Sequence, residues 1–520
     1  MRSPRIALLA AAAAVPIALP AVGPAVTHAA APSALPAAEV EGTITVMARN
    51  LYLGANTSVA LELLPDMPAA AQFMWDQVAA NDFSTRVSLL AAEAAAANPD
   101  VIGLQEATIW ACKPNPFSGP VTVFDFTEQF LQATADAGTE YKLAQRGGIT
   151  AYNPGYEIPA IPFLTTVEDP ETFQPLFGKD SADCGMTIAD ALLVRADLAD
   201  AVVAVGTGEY EERHAVVPVV FTIDRGYAWA DLAIGGTTVR AVTTHLESEW
   251  SDGAVPPSAS QAQQLVDDFA DTTVPMVVIG DFNSDPRDPR TGTDPNPGGQ
   301  PEASGTCPAQ PAAPTAATAD PTCSAYWTMI DAGYADAGPD SLAPANRTWG
   351  SEGDLAGPSP ERLEVALAEG NDYGFTDRLD YVFTRNGAKA TRAEVIGNQW
   401  PEGDTWQCDA PEQIQTTEAS SAILADRGLI TAPITGRGVC LPTDHAGLVA
   451  VVDVSAGPPG AQQQSAPPDH SPLFRVSLLG WILIALGVLL LLGVLVIWGV
   501  YRLATRGRRR RRQEAAAPQG

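Results

Sequence analysis

Pro275-Met276-Val277-Val278-Ile279-Gly280-Asp281-Phe282-Asn283 is the stretch on which the fold turns. An apolar run of strand length meets a glycine and then presents an Asp and an Asn two residues apart. Alternation along an extended chain places Asp281 and Asn283 on one face. Carboxylate and amide oxygens presented together at a strand end suit a hard divalent cation and a phosphate. An Asx-rich turn closing a buried strand reads the same residues equally well. The choice rests on how the neighbouring strands end.

Toward the N-terminus, residues 261–271 supply a helix, and residues 238–245 form a strand that closes on His245. Residues 43–50 alternate as a half-buried strand ending at Asn50. Residues 71–97 have an alanine-rich helical composition, broken at Asn98-Pro99-Asp100. Val101-Ile102-Gly103-Leu104-Gln105-Glu106 is then a strand closed by an acid. Residues 189–194 and 216–223 read as paired strands, and the aromatic, Pro-rich residues 107–185 as irregular. Toward the C-terminus, residues 286–323 are dominated by Pro, Ala, Thr, Asp and Gly and read as a low-complexity, disulfide-pinned surface insertion. Residues 326–337 read as a helix, residues 377–383 as a strand with Asp377 and Asp380 at its start, and Thr443-Asp444-His445 leads into a closing strand. Asn50, Glu106, His245, Asp281, Asn283, Asp380, Asp444 and His445 thus recur at strand ends. Such recurrence predicts one shared site at the edge of a sheet, in a single α/β domain spanning residues 42–455.

The 520 residues carry 30 Lys and Arg against 61 Asp and Glu, a net charge of -31. Ten of the basic residues but only four of the acids lie outside residues 42–455, so the body is more acidic still. Such a surface repels polyanions at long range and argues against a broad basic groove for nucleic acid, unless bound cations reverse the local field. Residues 1–30, with Arg2, Arg5 and a short apolar run, read as a secretory signal peptide. Residues 476–500 read as a transmembrane helix, uncharged from residue 478 onward and flanked by Trp481, Trp498 and Tyr501. The arginine-rich residues 501–520 then form a cytoplasmic tail, with residues 456–473 as a stalk and the body outside the cell. Six cysteines fit export, and sequence proximity favours Cys307 with Cys323 and Cys408 with Cys440, leaving Cys112 with Cys184. The absence of Cys-x-x-Cys and the scatter of five histidines argue against zinc. No obligate protein partner is evident.

Asn50, Gln105-Glu106, Thr244-His245-Leu246, Gly280-Asp281-Phe282-Asn283, Arg378-Leu379-Asp380-Tyr381 and Thr443-Asp444-His445, in that order, resemble the endonuclease/exonuclease/phosphatase family, which has the DNase I-like fold. The resemblance implies a four-layer sandwich of two face-to-face mixed β-sheets flanked by helices. It implies a phosphodiester hydrolase dependent on Mg²⁺, with Mn²⁺ or Ca²⁺ as alternatives. Carried over, Glu106 is the principal metal ligand, with Asn50 beside it on metal or phosphate and Asp444 supporting the metal. Asp281 and Asn283 orient the attacking water and the scissile phosphate. His445, oriented by Asp380, faces the phosphate, and His245 hydrogen-bonds a phosphate oxygen. Either Asp281 or His445 fits the role of base. Nucleic acid is the favoured substrate. A phospholipid head group, as for a sphingomyelinase or phosphoinositide phosphatase, is the alternative, and a catalytically silent binding module on the same fold is a third reading. A tyrosine or acidic partner for His245 is not legible, and residues 107–185 match no substrate-reading segment.

Overall fold

A computed structural model of the chain describes residues 42–458 and 464–470, apart from 64–65, 82, 116, 165–181, 218–220, 249–253, 292–300, 351–354, 356, 359 and 401–439. Two mixed sheets form its centre. The first runs in the order β17 (Lys389–Ile396), β18 (Gly447–Asp453), β1 (Thr43–Asn50), β2 (Val101–Lys113), β8 (Ala182–Arg195) and β4 (Tyr141–Leu143). In it β3 (Val121–Asp125) also pairs with β2, and β7 (Tyr152–Leu164) with β8. The second sheet runs β15 (Ala335–Asp336), β16 (Asp380–Arg385), β14 (Met276–Asp281), β13 (Thr237–His245), β12 (Gly226–Ile234) and β9 (Val202–Glu209). Two short hairpins, β5 (Gln145–Arg146) with β6 (Ile149–Thr150) and β10 (His214–Val217) with β11 (Phe221–Ile223), stand apart. The parallel pairs are β1 with β2 in one sheet and β13 with β14 in the other.

Period-2 patterning explains the layers. Val46 and Ala48 of β1, Val277 and Ile279 of β14 and Leu448 and Ala450 of β18 share one cluster between the sheets. The alternate residues face outward. Met47, Ile102 and Leu104 pack with Phe73, Trp75, Phe83 and Leu90 of α2 (Met67–Ala80) and α3 (Phe83–Ala97), and with Phe130 of α4 (Phe126–Asp136). Met276 and Val278 pack with Leu265 of α5 (Pro257–Asp268) and Met329 of α6 (Ala325–Asp331). Strand β14 is therefore buried on both faces, which is why its sequence is continuously apolar rather than alternating. The order helix, sheet, sheet, helix gives four layers, as the resemblance implies; α1 (Thr57–Glu62) precedes α2, and α7 (Pro360–Ala368) precedes β16.

Several expectations need correction. The alanine-rich stretch 71–97 belongs to two helices, because Asn81 caps α2 and its side chain donates to the Gly54 carbonyl. The described residues of 107–185 largely form regular structure: β2 continues to Lys113, and β3, α4, β4 and β7 build out the first sheet. The prolines of β7 are tolerated because, among the described residues, it pairs with β8 alone, through three register shifts. Residues 189–194 lie in β8, whereas 216–217 lie in β10 and 221–223 in β11, which pair with each other, so among the described residues the two stretches do not pair. The insertion is pinned by Cys307–Cys323, yet Asp288 and Arg290 within it are buried against Asp285 and Asp377. Residues 326–337 divide between α6 and β15.

Cys112 and Cys184 form the second disulfide, across directly opposed positions of β2 and β8. Cys440 is disulfide-bonded, and its expected partner Cys408 lies outside the described residues. The expected signal peptide, transmembrane helix and tail also lie outside them. Among the described residues no helix is long and apolar enough to cross a membrane. Residues 464–470 of the expected stalk are packed on the body. Thr273 N–H donates to Gln464 (3.0 Å), Arg240 donates to the Ser465 carbonyl (3.0 Å), and His470 bridges Glu211 (2.9 Å) and Asp268 (2.8 Å).

Candidate active site

One end of the sandwich collects the strand-end residues, and topology explains why. In a parallel pair both C-terminal ends emerge at the same edge. Asn50 and Gln105 are paired where β1 and β2 reach that edge, and His245 and Asp281 are paired where β13 and β14 do. β16 starts there, with Asp380 opposite Asp281. Asp444 and His445 lie just before β18, and His445 is bridged to Trp349. Gln105 points across the gap and donates to Thr243 Oγ1 at 2.8 Å, tying the sheets together below the site. Glu106 sits in a β-bulge at φ 54°, an uncommon conformation for a residue with a side chain.

Asp281 is the hub. Its Oδ2 accepts from Asn50 Nδ2 at 3.1 Å and lies 3.5 Å from His445 Nε2 and 3.6 Å from His245 Nε2. Its Oδ1 accepts from the Asn283 N–H at 2.9 Å, an Asx turn at the strand end. The turn and the site therefore coexist. Asn283 itself leaves the extended conformation (φ 45°), so alternation does not carry past Asp281, and its Nδ2 donates to the Leu246 carbonyl. On the other flank Asn50 Nδ2 also reaches Glu106 Oε1 (3.2 Å), and the Leu53 N–H donates to Glu106 Oε2. His445 Nδ1 is 3.0 Å from Asp380 Oδ2. Asp444 is buried beside His445, with Thr443 Oγ1 3.4 Å from its Oδ1.

The two histidines are held in opposite states. Burial pulls the His445 imidazolium down, but Asp380, Asp281 and Asp444 outweigh it and hold the pKa well above the usual value. Burial, then the charges of Arg225 and His445, push His245 well below it. The geometry agrees: Arg225 Nη1 lies 2.9 Å from His245 Nδ1, and a guanidinium only donates. His245 Nδ1 must accept, which leaves the proton on Nε2, facing Asp281. Burial pushes Asp281 up to about 7 and Asp444 up to about 6; Asp380 adds to the first and Glu106 to the second.

Two residues of this cluster have roles sequence reading missed. Asp190, on β8, is raised well above the carboxylate range by burial, then by Glu106 and Asp281, despite Arg225. An acid inside Ile188-Ala189-Asp190-Ala191-Leu192-Leu193-Val194 was the signal available. Arg225, buried between His245 and Glu247 (3.5 Å), lies in the short loop before β12 and carried no signal.

The donor set suits a hard divalent cation. Glu106, Asp190, Asp281, Asp380 and Asp444 crowd together; burial first, and then the charges of neighbouring carboxylates, raise Asp190, Asp281 and Asp444, and a bound cation relieves that excess of negative charge. His445, charged and with carboxylate oxygens facing both ring nitrogens, donates rather than ligates, which leaves the carboxylates and the Asn50 amide as the cation's donors. Buried carboxylates, an amide and a carboxylate-paired imidazolium at one edge of a two-sheet sandwich define a metal-assisted phosphoester-cleaving class of site.

The model of the Endonuclease/Exonuclease/phosphatase family matches residues 74–402, and the chain belongs to that family, whose members are divalent-metal-dependent phosphoester hydrolases. The match includes Glu106, His245, Asp281, Asn283 and Asp380; Asn50, Asp444 and His445 fall outside it. No protein of curated function matches the sequence. Among solved structures, the chain is similar to an endonuclease/exonuclease/phosphatase from Beutenbergia cavernae DSM 12333 (14% identity, TM-score 0.39, 79% of this chain and 72% of that one). It is also similar to D. rerio TDP2 complexed with a single-strand DNA product (11%, TM-score 0.36, 79% and 98%). A third is the Bacteroides thetaiotaomicron VPI-5482 mannosyl-6-phosphatase Bt3783 (14%, TM-score 0.35, 79% and 99%).

Proposed function

We propose that this protein is a Mg²⁺-dependent phosphodiester hydrolase acting on nucleic acid, held at the cell surface by its apolar C-terminal segment. The observation that carries the reading is the chain from Asn50 through Asp281 and His445 to Asp380, which places a carboxylate tuned near neutrality beside an imidazolium. Glu106, Asp444 and the Asn50 amide would hold the cation, which when bound neutralises nonbridging phosphate oxygens and assists the leaving group. Asp281 takes the proton of the attacking water, its orientation fixed by the Asn283 N–H and the Asn50 amide. His445, kept charged by Asp380, donates to a phosphate oxygen. His245 presents a neutral Nε2–H that donates without titrating.

The uncharged apolar stretch at residues 478–500 favours a second reading, a phospholipid head group as substrate. One experiment separates them. Full-length protein in vesicles with Mg²⁺ is offered single- and double-stranded DNA, RNA, sphingomyelin, phosphoinositides and bis(p-nitrophenyl) phosphate, with Asp281→Ala and His445→Ala alongside. Nucleic-acid cleavage lost in both variants and on chelation is the expected result. Lipid cleavage alone would replace the substrate, and full activity in either variant would overturn the site.

A further inference from the structure

Two buried arginines lie behind the site and touch both of its flanks. Arg86 of α3 is fully buried, and its fork reaches carbonyls from opposite ends of the chain. Nη1 donates to Leu51 (3.0 Å) and to Pro442 (2.7 Å), Nη2 to Tyr52 (3.3 Å), and Nε to Asn81 (3.1 Å). The ring of Phe83 packs 4.9 Å from the guanidinium carbon and that of Tyr52 5.5 Å from it. The Leu51–Tyr52–Leu53 backbone that Arg86 holds is also the backbone that orients the first flank. Its Tyr52 N–H donates to Asn50 Oδ1 (2.9 Å) and its Leu53 N–H to Glu106. Tyr52 adopts φ 57°, a conformation that needs support from outside the loop. Pro442 leads directly into Asp444 and His445, and between them Thr443 Oγ1 donates to the Asn50 carbonyl (3.0 Å).

Arg49 completes the arrangement. Also fully buried, it donates from Nη1 to the His445 carbonyl (2.6 Å) and pairs through Nη2 with Glu93 (2.8 Å). Glu93 lies seven residues after Arg86 on α3, two turns along the same face. One helix therefore sets the place of both guanidinium groups.

We propose that Arg86 and Arg49 are positioning residues: they fix the separation between the Glu106–Asn50 flank and the Asp444–His445 flank. Neither is accessible to a substrate, so each acts through the backbone it holds. A guanidinium is needed because its planar fork meets several partners at fixed angles, four carbonyls for Arg86 and a carbonyl with a carboxylate for Arg49, which a lysine ammonium cannot reproduce. The rate arm of the test rests on the phosphodiesterase reading; the metal arm does not.

Arg86→Lys and Arg49→Lys are compared with wild type by near-ultraviolet circular dichroism and melting, by Mn²⁺ binding followed by electron paramagnetic resonance, and by kcat and KM on bis(p-nitrophenyl) phosphate. Folded Arg86→Lys is expected to bind Mn²⁺ about 10-fold more weakly and to lose about 10²-fold in kcat, with KM within about threefold. Arg49→Lys is expected to lose about 10-fold in kcat and about threefold in Mn²⁺ affinity, because the flank it holds through His445 also carries Asp444. Guanidinium at millimolar concentration restores part of the lost kcat to Arg86→Ala. Wild-type kcat and Mn²⁺ affinity in the folded lysine variants, or a loss confined to melting temperature, would overturn the proposal. Should wild type cleave no phosphodiester, the function reading falls and the Mn²⁺ comparison alone decides this one. Should Arg86→Lys not fold, Arg49→Lys decides whether His445 is positioned from behind.

Discussion

Asp281 has more neighbours than oxygens, and that crowding makes it informative. One oxygen accepts the Asn283 N–H; the other faces Asn50, His245 and His445. Asp281→Asn keeps the volume and removes both the charge and the base, so kcat should fall at least about 10²-fold with the fold intact, as steady-state kinetics and circular dichroism would show. Arg225 is the second residue whose loss reads clearly. Arg225→Met takes the donor from His245 Nδ1 and leaves Glu247 buried without its cation. We expect a destabilisation of about 3–5 kcal/mol in urea unfolding. A change under about 1 kcal/mol would show that the pair is not buried as described. Neither arginine contact was legible, because Arg225 comes from a loop whose sequence carries no period.

Strand β14 illustrates what an element contributes beyond its residues. Gly280 lies opposite Thr244 of β13, and a Cβ added there would come within 2.1 Å of the Thr244 carbonyl oxygen. Gly280→Ala must push β14 away from β13, and with it Asp281 away from His245. A loss of about 1–3 kcal/mol in stability, together with a fall in kcat larger than any change in KM, is the expected signature. Wild-type kinetics in that variant would separate strand placement from catalysis. Gly103 on β2 plays the corresponding part between the sheets, since a Cβ there would meet Thr243 Oγ1 at 2.7 Å and Ile279 at 2.9 Å. The glycine in the 275–283 stretch is therefore a packing requirement, whereas sequence reading sees only a break in an apolar run.

For the whole molecule, the concentration of acid at one edge couples stability to pH and to metal. Asp281 and Asp444 have folded pKa values raised from 3.8 to about 7 and about 6. Groups raised in this way favour the fold most below their unfolded value, and that contribution is lost as pH rises through the folded one. Chelated protein should lose several degrees of melting temperature between about pH 4 and pH 7, and Mg²⁺ should restore most of it at pH 7. A melting temperature independent of Mg²⁺ would count against a cation site here. The packed segment 464–470 obeys the same sign. Asp268 and Glu211 raise the His470 pKa, so its docking is complete below about pH 6.5 and weakens as pH rises past the elevated value. Hydrogen exchange in residues 464–470 should therefore rise with pH beyond the intrinsic amide trend. The strand-end residues Asn50, Glu106, His245, Asp281, Asp380, Asp444 and His445 and the α/β class were determined by sequence alone, because period-2 burial makes a polar residue at the end of an apolar strand stand out. Tertiary structure alone decided that Asp281 is the hub of that edge, that His245 is paired with an arginine, and that Arg86 and Arg49 brace the site. Those facts depend on contacts between segments far apart in the chain, and no local pattern of side chains encodes them.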